Sequence, residues 1–374
     1  MTVLEARSRL GGRVSSVRTA RGEIAELGGE WIFEGYDQLR ALAERFGLEL
    51  VPMGCDFGRR EAVDVDAPLE AQDLLLAWLR ERLGGDAEGR TVGDALDAAP
   101  SSPSLEALRA RFQGTCAADL HDVALAPVLA EGMQPGPAGP SWRLAEGNDR
   151  LAAVLADGLE VRFGAAVERV VDDGRSVRAL GAGVDIVADA AVVAVPLPML
   201  RTLALEPAPP SSVSAAVDAL GFGTASKLVL ETRRPLSPRA RQSVAGPFWW
   251  WVTSGADGSP RPLVTSFAGS AAAQADLAVD DGGRSWAERV ARFDPQVEIA
   301  GDPLLMRWDL EPFSGGAYSV IRPAAAERMA ALAESFGRVV LAGEHTAGPA
   351  WHGTLEGALR SGMRAAQQLV NGSD

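Results

Sequence analysis

The amino-acid sequence predicts an α/β fold with α+β character overall, built from two domains that are discontinuous in sequence. Strand-like segments followed by glycine-containing turns occur near both ends of the chain, at residues 2–5 and 338–343. A helical region and a series of strand-like segments lie between them. A length of 374 residues also exceeds what one hydrophobic core usually supports.

Composition is that of a globular protein and excludes several functional classes. Hydrophobic residues make up 47% of the chain and charged residues 23%, as in folded domains. The net charge of −14 argues against a nucleic-acid partner, because such sites concentrate Lys and Arg. No apolar run reaches the roughly 20 residues of a membrane helix. The two cysteines form no CxxC motif and the three histidines no metal-binding spacing, so we expect a cytoplasmic protein without a metal site.

The first predicted element ends in an acidic residue that suits a nucleotide site. Residues 2–5 form a strand ending in Glu5, and Gly11, Gly12 and Arg13 follow shortly after. In a dinucleotide-binding βαβ unit such an acidic residue binds the ribose, about 20 residues after a GxGxxG fingerprint. Only four residues precede Glu5, so the fingerprint is absent from the sequence as written. We expect roughly one βα unit, about 30 residues, to lie upstream of Met1 in the reading frame. An in-frame stop codon directly upstream would contradict this expectation.

Helical periodicity dominates the next hundred residues. Residues 37–46 have the apolar spacing of a helix that ends at Gly47, a typical C-cap residue. Further helices are predicted at 69–83 and 104–112. The segment 133–142 (MQPGPAGPSW) breaks the periodicity and predicts a connector between domains.

The second half of the sequence is richer in strands. A helix from about Asp149 precedes strands at 160–163 and 167–171, and the apolar run 190–195 predicts a strand buried on both faces. Three segments then predict a mostly antiparallel sheet: 226–231, 246–252 and 262–268. The chain closes with a strand at 338–343 and an amphipathic helix at 355–370. We assign residues 1–62, 141–205 and 308–374 to the first domain, and residues 63–140 and 206–307 to the second.

Eight segments resemble, in order, landmarks of the flavin-dependent amine oxidase family, the monoamine and polyamine oxidases. VLEARSRLGGRV (3–14) resembles the ExRxxxxGGR element, and ELGGEWI (26–32) the flavin-contacting Gly-Gly loop. The other six are VERVV (167–171), VAVPLPML (193–200), FGTASKLVLE (222–231), WDLEPFSGGAYS (308–319), GRVVLAGEHT (337–346) and WHGTLEGALRSGMRAA (351–366). Because eight matches occur in the same order, the resemblance covers nearly the whole chain.

The resemblance implies a Rossmann-type FAD-binding domain, incomplete at its N-terminus, with an inserted mixed sheet-and-helix substrate domain. It also implies non-covalent FAD, because Ala317 occupies the position where monoamine oxidases attach the flavin through cysteine. The implied cofactor-binding residues are Glu5, Arg7, Gly11, Gly12, Arg13, Gly28, Gly29, Glu30, Trp31, Val167, Gly343, Glu344, Thr354 and Leu355. A helix that starts near Leu355 would direct its free N–H groups at the pyrimidine carbonyl of the flavin.

Three residues are implied to act in catalysis: Lys227, Tyr318 and Trp308. Lys227 is the only lysine among 36 basic residues, which suggests a task that guanidinium cannot perform. In the family this lysine holds a water at flavin N5. Tyr318 matches one wall of the family's aromatic pair, whereas Thr354 stands at the opposite wall, so half of that pair is missing.

The implied function is oxidation of a small amine by hydride transfer to flavin N5, with oxygen as the acceptor and release of peroxide. Two alternatives remain open. The chain could desaturate or oxidise a large apolar substrate, as protoporphyrinogen oxidases and carotenoid desaturases do. It could also be a non-catalytic remnant that cannot hold FAD without a first βα unit. Flavin in the purified protein would separate the enzymes from the remnant, and the oligomeric state is left undetermined.

Overall fold

The computed structural model describes residues 1–83, 87–129 and 139–371. Its strands are β1 (Thr2–Leu4), β2 (Ser16–Arg18), β3 (Ile24–Glu26), β4 (Ile32–Phe33), β5 (Leu50–Pro52), β6 (Glu61–Ala62), β7 (Ser141–Leu144), β8 (Glu160–Arg162), β9 (Arg169–Asp172), β10 (Val177–Gly181), β11 (Val184–Ala188), β12 (Ala191–Val193), β13 (Ala204–Glu206), β14 (Gly221–Phe222), β15 (Ala225–Leu236), β16 (Arg239–Ser243), β17 (Phe248–Val252), β18 (Arg261–Gly269), β19 (Leu304–Arg307), β20 (Ser319–Val320), β21 (Ser335–Phe336) and β22 (Val339–Leu341). Its α-helices are α1 (Asp37–Arg45), α2 (Leu69–Leu83), α3 (Val92–Asp97), α4 (Pro103–Cys116), α5 (Leu125–Leu129), α6 (Arg150–Ala156), α7 (Leu197–Thr202), α8 (Ser211–Ala219), α9 (Ala271–Asp276), α10 (Arg284–Phe293) and α11 (Leu355–Asn371). Short 3₁₀ turns supplement them.

The largest sheet has six strands in the order β19-β15-β18-β17-β16-β6. Its five longer strands pair antiparallel, as the alternating segments of the sequence predict, and β6 joins the edge in parallel. The long strand β15 carries Lys227. This residue pairs with Phe267 of β18 on one side and with Met306 of β19 on the other, so strands on both sides hold it in the sheet.

Strand alternation divides the aromatic residues of β17 between two environments. Phe248 and Trp250 pack in a core with Trp286 and Val290 of α10. Trp249 and Trp251 belong to a different cluster, which includes Trp31. One strand therefore supplies both a structural core and, as shown below, a wall of the cavity.

Parallel pairings occur in three smaller groups of strands. β1 pairs with β8, β12 with β22, and β13 with β9. Among the described residues, the β1–β8 pair and the β12–β22–β21 sheet are separate sheets. The expectation that 190–195 is buried on both faces is wrong at Val192, which is 43% exposed because it lines the large cavity described below. A βα unit upstream of Met1 stays a prediction.

Several helices agree closely with the sequence patterns. The helix predicted at 37–46 is α1, and Gly47 follows it with a positive φ of 64°. The helices predicted at 69–83 and 104–112 correspond to α2 and α4. Most of the predicted connector, up to residue 138, lies outside the described residues.

The division into two domains also stays a prediction. β6, assigned to the first domain, pairs in the six-stranded sheet with β16, assigned to the second. Conversely, Val213 and Ala216 of α8, assigned to the second domain, pack with Val193 of β12, assigned to the first.

No helix in the described ranges has the length and apolar character needed to cross a membrane.

Leu228 offers a test of how β15 is anchored, because it is fully buried in the core next to Lys227. We expect Leu228→Ala to lower the free energy of unfolding by about 2–5 kcal/mol, since it removes buried methyl groups and leaves a cavity. Urea unfolding measures this loss. Leu310→Ala, at a position 66% exposed, is the control and should change stability by less than about 0.5 kcal/mol. Equal losses in the two variants would contradict the assignment of Leu228 to the core.

Candidate active site

A single cavity of about 1780 Å³ joins most of the predicted site residues. It is lined by β1, by the two glycine loops, by the ends of β12 and β22, by the start of α11 and by aromatic residues of the large sheet. Small-molecule sites usually occupy roughly 300–1,000 Å³. The cavity is therefore large enough for an extended cofactor together with a substrate. All fourteen predicted cofactor-binding residues line it, as do Lys227, Tyr318 and Trp308.

The turn after β1 depends on glycine and on an arginine that sequence reasoning missed. Gly11 and Gly12 have φ values of +90° and +57°, which favour glycine. A Cβ on Gly11 would lie 2.6 Å from the carbonyl oxygen of Val14. Arg9 donates hydrogen bonds to the carbonyls of Leu10, Gly12 and Val14, and so closes the turn. Its position inside the ExRxxxxGGR segment was the available signal.

Arg7 and Glu5 are already engaged within the chain. Arg7 pairs with the carboxylate of Glu311 and donates to Ser314 Oγ at 2.9 Å. Glu5 Oε1 accepts a hydrogen bond from the backbone N–H of Arg7 at 2.8 Å. Both residues line the cavity, and contact with a pyrophosphate or ribose stays a prediction.

The second glycine loop packs tightly against the first. A Cβ on Gly28 would lie 2.1 Å from the carbonyl oxygen of Arg13, and one on Gly29 would lie 2.9 Å from Leu355 Cδ2. The N–H of Gly29 donates to the same Arg13 oxygen at 3.1 Å. Close packing against the Arg13 backbone thus requires Gly28, whereas a Cβ on Gly29 would meet the movable end of the Leu355 side chain.

Lys227 and Glu30 form a buried ion pair at the cavity wall. Lys227 Nζ donates to Glu30 Oε2 at 2.6 Å and to the carbonyl oxygen of Gly28 at 3.0 Å, and both side chains are 4% exposed. Trp251 Nε1 donates to Glu30 Oε1 at 3.1 Å. Glu30 is therefore the direct partner of Lys227, a role that the sequence did not indicate. Burial, together with the negative charge of Glu30, also raises the pKa of the nearby Glu26 to about 7.

A second buried carboxylate, Glu344, joins three segments at the cavity wall. It accepts hydrogen bonds from Arg13 Nη1 at 2.8 Å, from Ser319 Oγ at 2.5 Å and from the N–H of Gly353 at 2.7 Å. Burial alone would raise its pKa, but the Arg13 cation and these hydrogen bonds lower the pKa of Glu344 to about 2. Burial lowers the pKa of His345 to about 4, so this imidazole is neutral near pH 7. Arg13 is thus the cation that balances Glu344.

The closing helix begins at a defined cap. Thr354 Oγ1 accepts a hydrogen bond from the N–H of Gly357 at 2.9 Å and donates to the carbonyl oxygen of Trp351. The start of α11 lines the cavity, which is consistent with the predicted use of its N-terminus. Tyr318 lies next to this start, since a Cβ on Gly353 would be 3.4 Å from its Cδ2, and its hydroxyl donates to the carbonyl oxygen of Thr115 at 2.6 Å.

Five aromatic side chains form one end of the cavity, and we refer to them as the aromatic box: Trp31, Phe33, Phe57, Trp249 and Trp251. The indoles of Trp249 and Trp251 are stacked, with ring centroids 4.0 Å apart. Phe57 meets Trp31 and Trp249 edge-on at 5.0 and 5.2 Å. The run FWWW gave a signal for this wall, since alternate residues of a strand face opposite sides. Phe57 had no comparable signal.

The described residues contain no group of three or more His, Cys, Asp or Glu side chains that could hold a metal ion. Cys55 and Cys116 are free thiols.

Comparison with known proteins agrees with this geometry. The model of the flavin containing amine oxidoreductase family matches residues 1–74 and 80–370. The chain therefore belongs to this family of flavin-dependent enzymes. Lysine-specific histone demethylase 1 homolog 2 of Oryza sativa subsp. japonica is 29% identical over 417 residues, which cover 100% of this chain and 54% of that protein. The chain thus spans about half the length of the curated relatives it matches.

Solved structures share the fold over nearly the whole chain. Cyclohexylamine oxidase from Brevibacterium oxydans IH-35A has a TM-score of 0.84 at 20% identity, covering 99% of this chain and 93% of that one. Wild-type putrescine oxidase bound to putrescine has a TM-score of 0.82 at 15% identity, with the same coverage. The predicted mixed α/β architecture is thereby confirmed.

Glu344 generates a pH-dependent prediction. Its pKa falls from an ordinary 4.5 to about 2 on folding, so its charge stabilises the fold above pH 4.5. That stabilisation is lost as the pH falls from 4.5 towards 2. We expect Glu344→Gln to lower the free energy of unfolding by about 3 kcal/mol at pH 7, and the difference from wild type to shrink below pH 4.5.

Urea unfolding at several values between pH 7 and pH 3.5 measures this difference. Glu70→Gln is the matched control, because the Glu70 side chain is 81% exposed, and it should show no such trend. A difference that stays constant across this range would contradict the charge-dependent role of Glu344.

Proposed function

We propose that this chain binds FAD non-covalently and oxidises a small amine, with oxygen as the electron acceptor. The observation that carries the proposal is the continuity of one cavity from the glycine turn at Gly11 and Gly12, past Gly343, to the aromatic box beside Lys227. Such a cavity places a cofactor-sized groove and an apolar substrate space side by side. Cyclohexylamine oxidase and putrescine oxidase act on amines, as their names state, and share this fold, which supports an amine substrate.

The residues around the groove fit FAD in chemical type. Glu5 lies at the end of β1, where a carboxylate can bind a ribose hydroxyl, and Arg13 offers a guanidinium near two glycine loops. The start of α11 supplies backbone N–H groups and the positive end of a helix dipole. The side chain of Ala317, a methyl group, offers no atom for a covalent bond to the cofactor. When bound, FAD supplies the hydride acceptor.

The chain's own residues then orient the substrate and exclude water. The aromatic box provides an apolar enclosure, and Trp308 is held at the cavity wall by donating its Nε1–H to the carbonyl oxygen of Leu27 at 2.8 Å. Lys227 presents a fixed ammonium, because Glu30 and Gly28 hold it. Neither Glu30 nor Glu344 is available as a general base, since each already accepts hydrogen bonds from a cation. An amine that enters deprotonated needs no such base.

The size and apolar walls of the cavity also favour a second candidate, oxidation or desaturation of a large apolar substrate. The cavity extends beyond the aromatic box and is lined mostly by apolar side chains. A panel of amines and polycyclic substrates, read by peroxide release, separates the two functions. A protein that takes up no FAD would instead favour the non-catalytic remnant.

The first test measures flavin content and the flavin's response to amines. We expect the purified protein, supplied with FAD, to show flavin absorbance that amines bleach in the absence of oxygen. Readmitted oxygen should restore the absorbance and release peroxide. Acid precipitation should leave all the FAD in the supernatant, because Ala317 cannot form a thioether. Flavin retained in the pellet would refute non-covalent binding, and absorbance unaffected by any amine would refute amine oxidation.

The second test concerns Lys227. We expect Lys227→Met to retain FAD but to slow flavin reduction or reoxidation at least tenfold, about 1.4 kcal/mol in barrier height, because the fixed ammonium is lost. Stopped-flow absorbance follows each half-reaction separately. Arg234→Met, which removes an exposed cation from the same strand, is the control and should leave both rates unchanged. Unaltered rates in Lys227→Met would remove the lysine from the mechanism.

A further inference from the structure

The stacked indoles of the aromatic box lie between two cations of the protein itself. The Arg60 guanidinium carbon lies 3.7 Å from the ring centroid of Trp249, and Lys227 Nζ lies 5.2 Å from that of Trp251. Because the two indoles stack on each other at 4.0 Å, Arg60 must occupy the opposite face of Trp249. The protein's own charges therefore already use the π-faces that a ligand cation would bind.

Arg60 is a buried cation without an acidic partner. The residue has no exposed surface, and its Nε and Nη2 donate to the carbonyl oxygen of Phe57 and to Thr115 Oγ1, each at 3.0 Å. Throughout the described ranges, no carboxylate lies within 4.0 Å of its guanidinium nitrogens, although Lys227, at the other end of the stack, has Glu30. A second buried guanidinium, Arg111, bonds the carbonyl oxygen of Gly58 nearby. Arg60 is therefore a buried cation with no carboxylate of the described residues in contact behind this wall, and Asp56 acts on it only from a distance.

At this end of the cavity, the acceptors of Thr115 and Glu30 already receive hydrogen bonds from donors of the protein. Thr115 Oγ1 accepts from Arg60, and the carbonyl oxygen of Thr115 accepts from the Tyr318 hydroxyl at 2.6 Å. Glu30, the cavity-lining carboxylate bonded to the aromatic box, accepts from Lys227 and Trp251. By contrast, the indole N–H groups of Trp31 and Trp249 are buried donors without an acceptor. An ammonium group brought here would meet two unpaired donors and two cations, and it would have to share its acceptors with donors of the protein.

From these contacts we propose that the aromatic box selects monoamines with an uncharged apolar body and rejects amines with a second ammonium group, with Arg60 as the specificity-determining residue. The inference rests on the proposed amine oxidation and narrows its substrate class. A second ammonium would lose its hydration without gaining a carboxylate or a free aromatic face. It would also be repelled by Arg60 across a region of low dielectric constant.

A matched pair of substrates tests the proposal on the FAD-loaded protein. Hexylamine and 1,6-diaminohexane have the same length and differ only in the distal group. We expect hexylamine to show at least a tenfold higher kcat/KM and at least tenfold tighter binding, measured without oxygen by quenching of tryptophan fluorescence. In Arg60→Met the preference should fall to threefold or less, through tighter binding of the diamine.

Two further variants keep the test decisive. Arg59→Met removes the neighbouring cation, whose side chain is 39% exposed and pairs with Asp73, and should retain the full preference. Arg60→Gln keeps a hydrogen-bond donor for Thr115 without the charge. It replaces Arg60→Met if that variant fails to fold, and its preference for hexylamine should likewise fall to threefold or less.

The outcomes separate this inference from the proposed function. Equal or better binding and turnover of 1,6-diaminohexane by the wild-type protein would overturn the selectivity while leaving amine oxidation intact. An unchanged preference in both Arg60 variants would overturn the role of Arg60. If neither amine reduced the flavin but hexylamine still bound at least tenfold more tightly, the selectivity would hold and amine oxidation would fail.

Discussion

The buried ion pair between Lys227 and Glu30 is the constraint on which the rest of the site depends. Removing two charges from water costs several kcal/mol for each ion, so the pair persists only with good geometry and further hydrogen bonds. Here the 2.6 Å contact is supported by the Gly28 carbonyl and by Trp251 Nε1. The pair joins the long strand β15 to the second glycine loop. This interaction has exacting requirements, and together with the bonds from Trp308 to Leu27 and from Arg261 to Ile24 it fixes the position of the large sheet relative to the groove.

Glu344 and Arg13 form a second fixed connection at the groove. Their ion pair joins the end of β22 to the first glycine loop, and Ser319 and Gly353 bring two further segments to the same carboxylate. The two glycine loops meet through the carbonyl oxygen of Arg13, which leaves no space for a Cβ on Gly28. Two compensated ion pairs and one backbone contact thus hold the walls of the cavity in place. Arg60, which has no carboxylate among the described residues in contact with its guanidinium, differs from both ion pairs in this respect.

Much of the fold could be predicted because the signals are local. The periodicity of α1, α2 and α4, the positive φ at Gly47 and the antiparallel strands around Lys227 all follow from patterns within a few residues. The order of eight short motifs also indicated the family and most residues of the cavity wall. The prediction for Val192 was wrong because a continuous apolar run does not reveal whether one face of a strand borders a cavity. The role of Phe57 was missed because it stands in a segment without regular periodicity.

By itself, the sequence determined the composition of the site: a single lysine, two glycine loops, an alanine where the resemblance places the flavin-attaching cysteine of monoamine oxidases, and an aromatic strand. Only the tertiary structure decided which of these groups are partners. Glu30 and Lys227 are 197 positions apart, and Arg13 and Glu344 are 331 apart, so no local pattern could pair them. Such pairings are set by how the sheets and loops pack, because a buried charge must find its partner wherever the fold brings one within reach. The same packing placed Arg60 against Trp249 without a carboxylate, a feature that neither residue shows in the sequence.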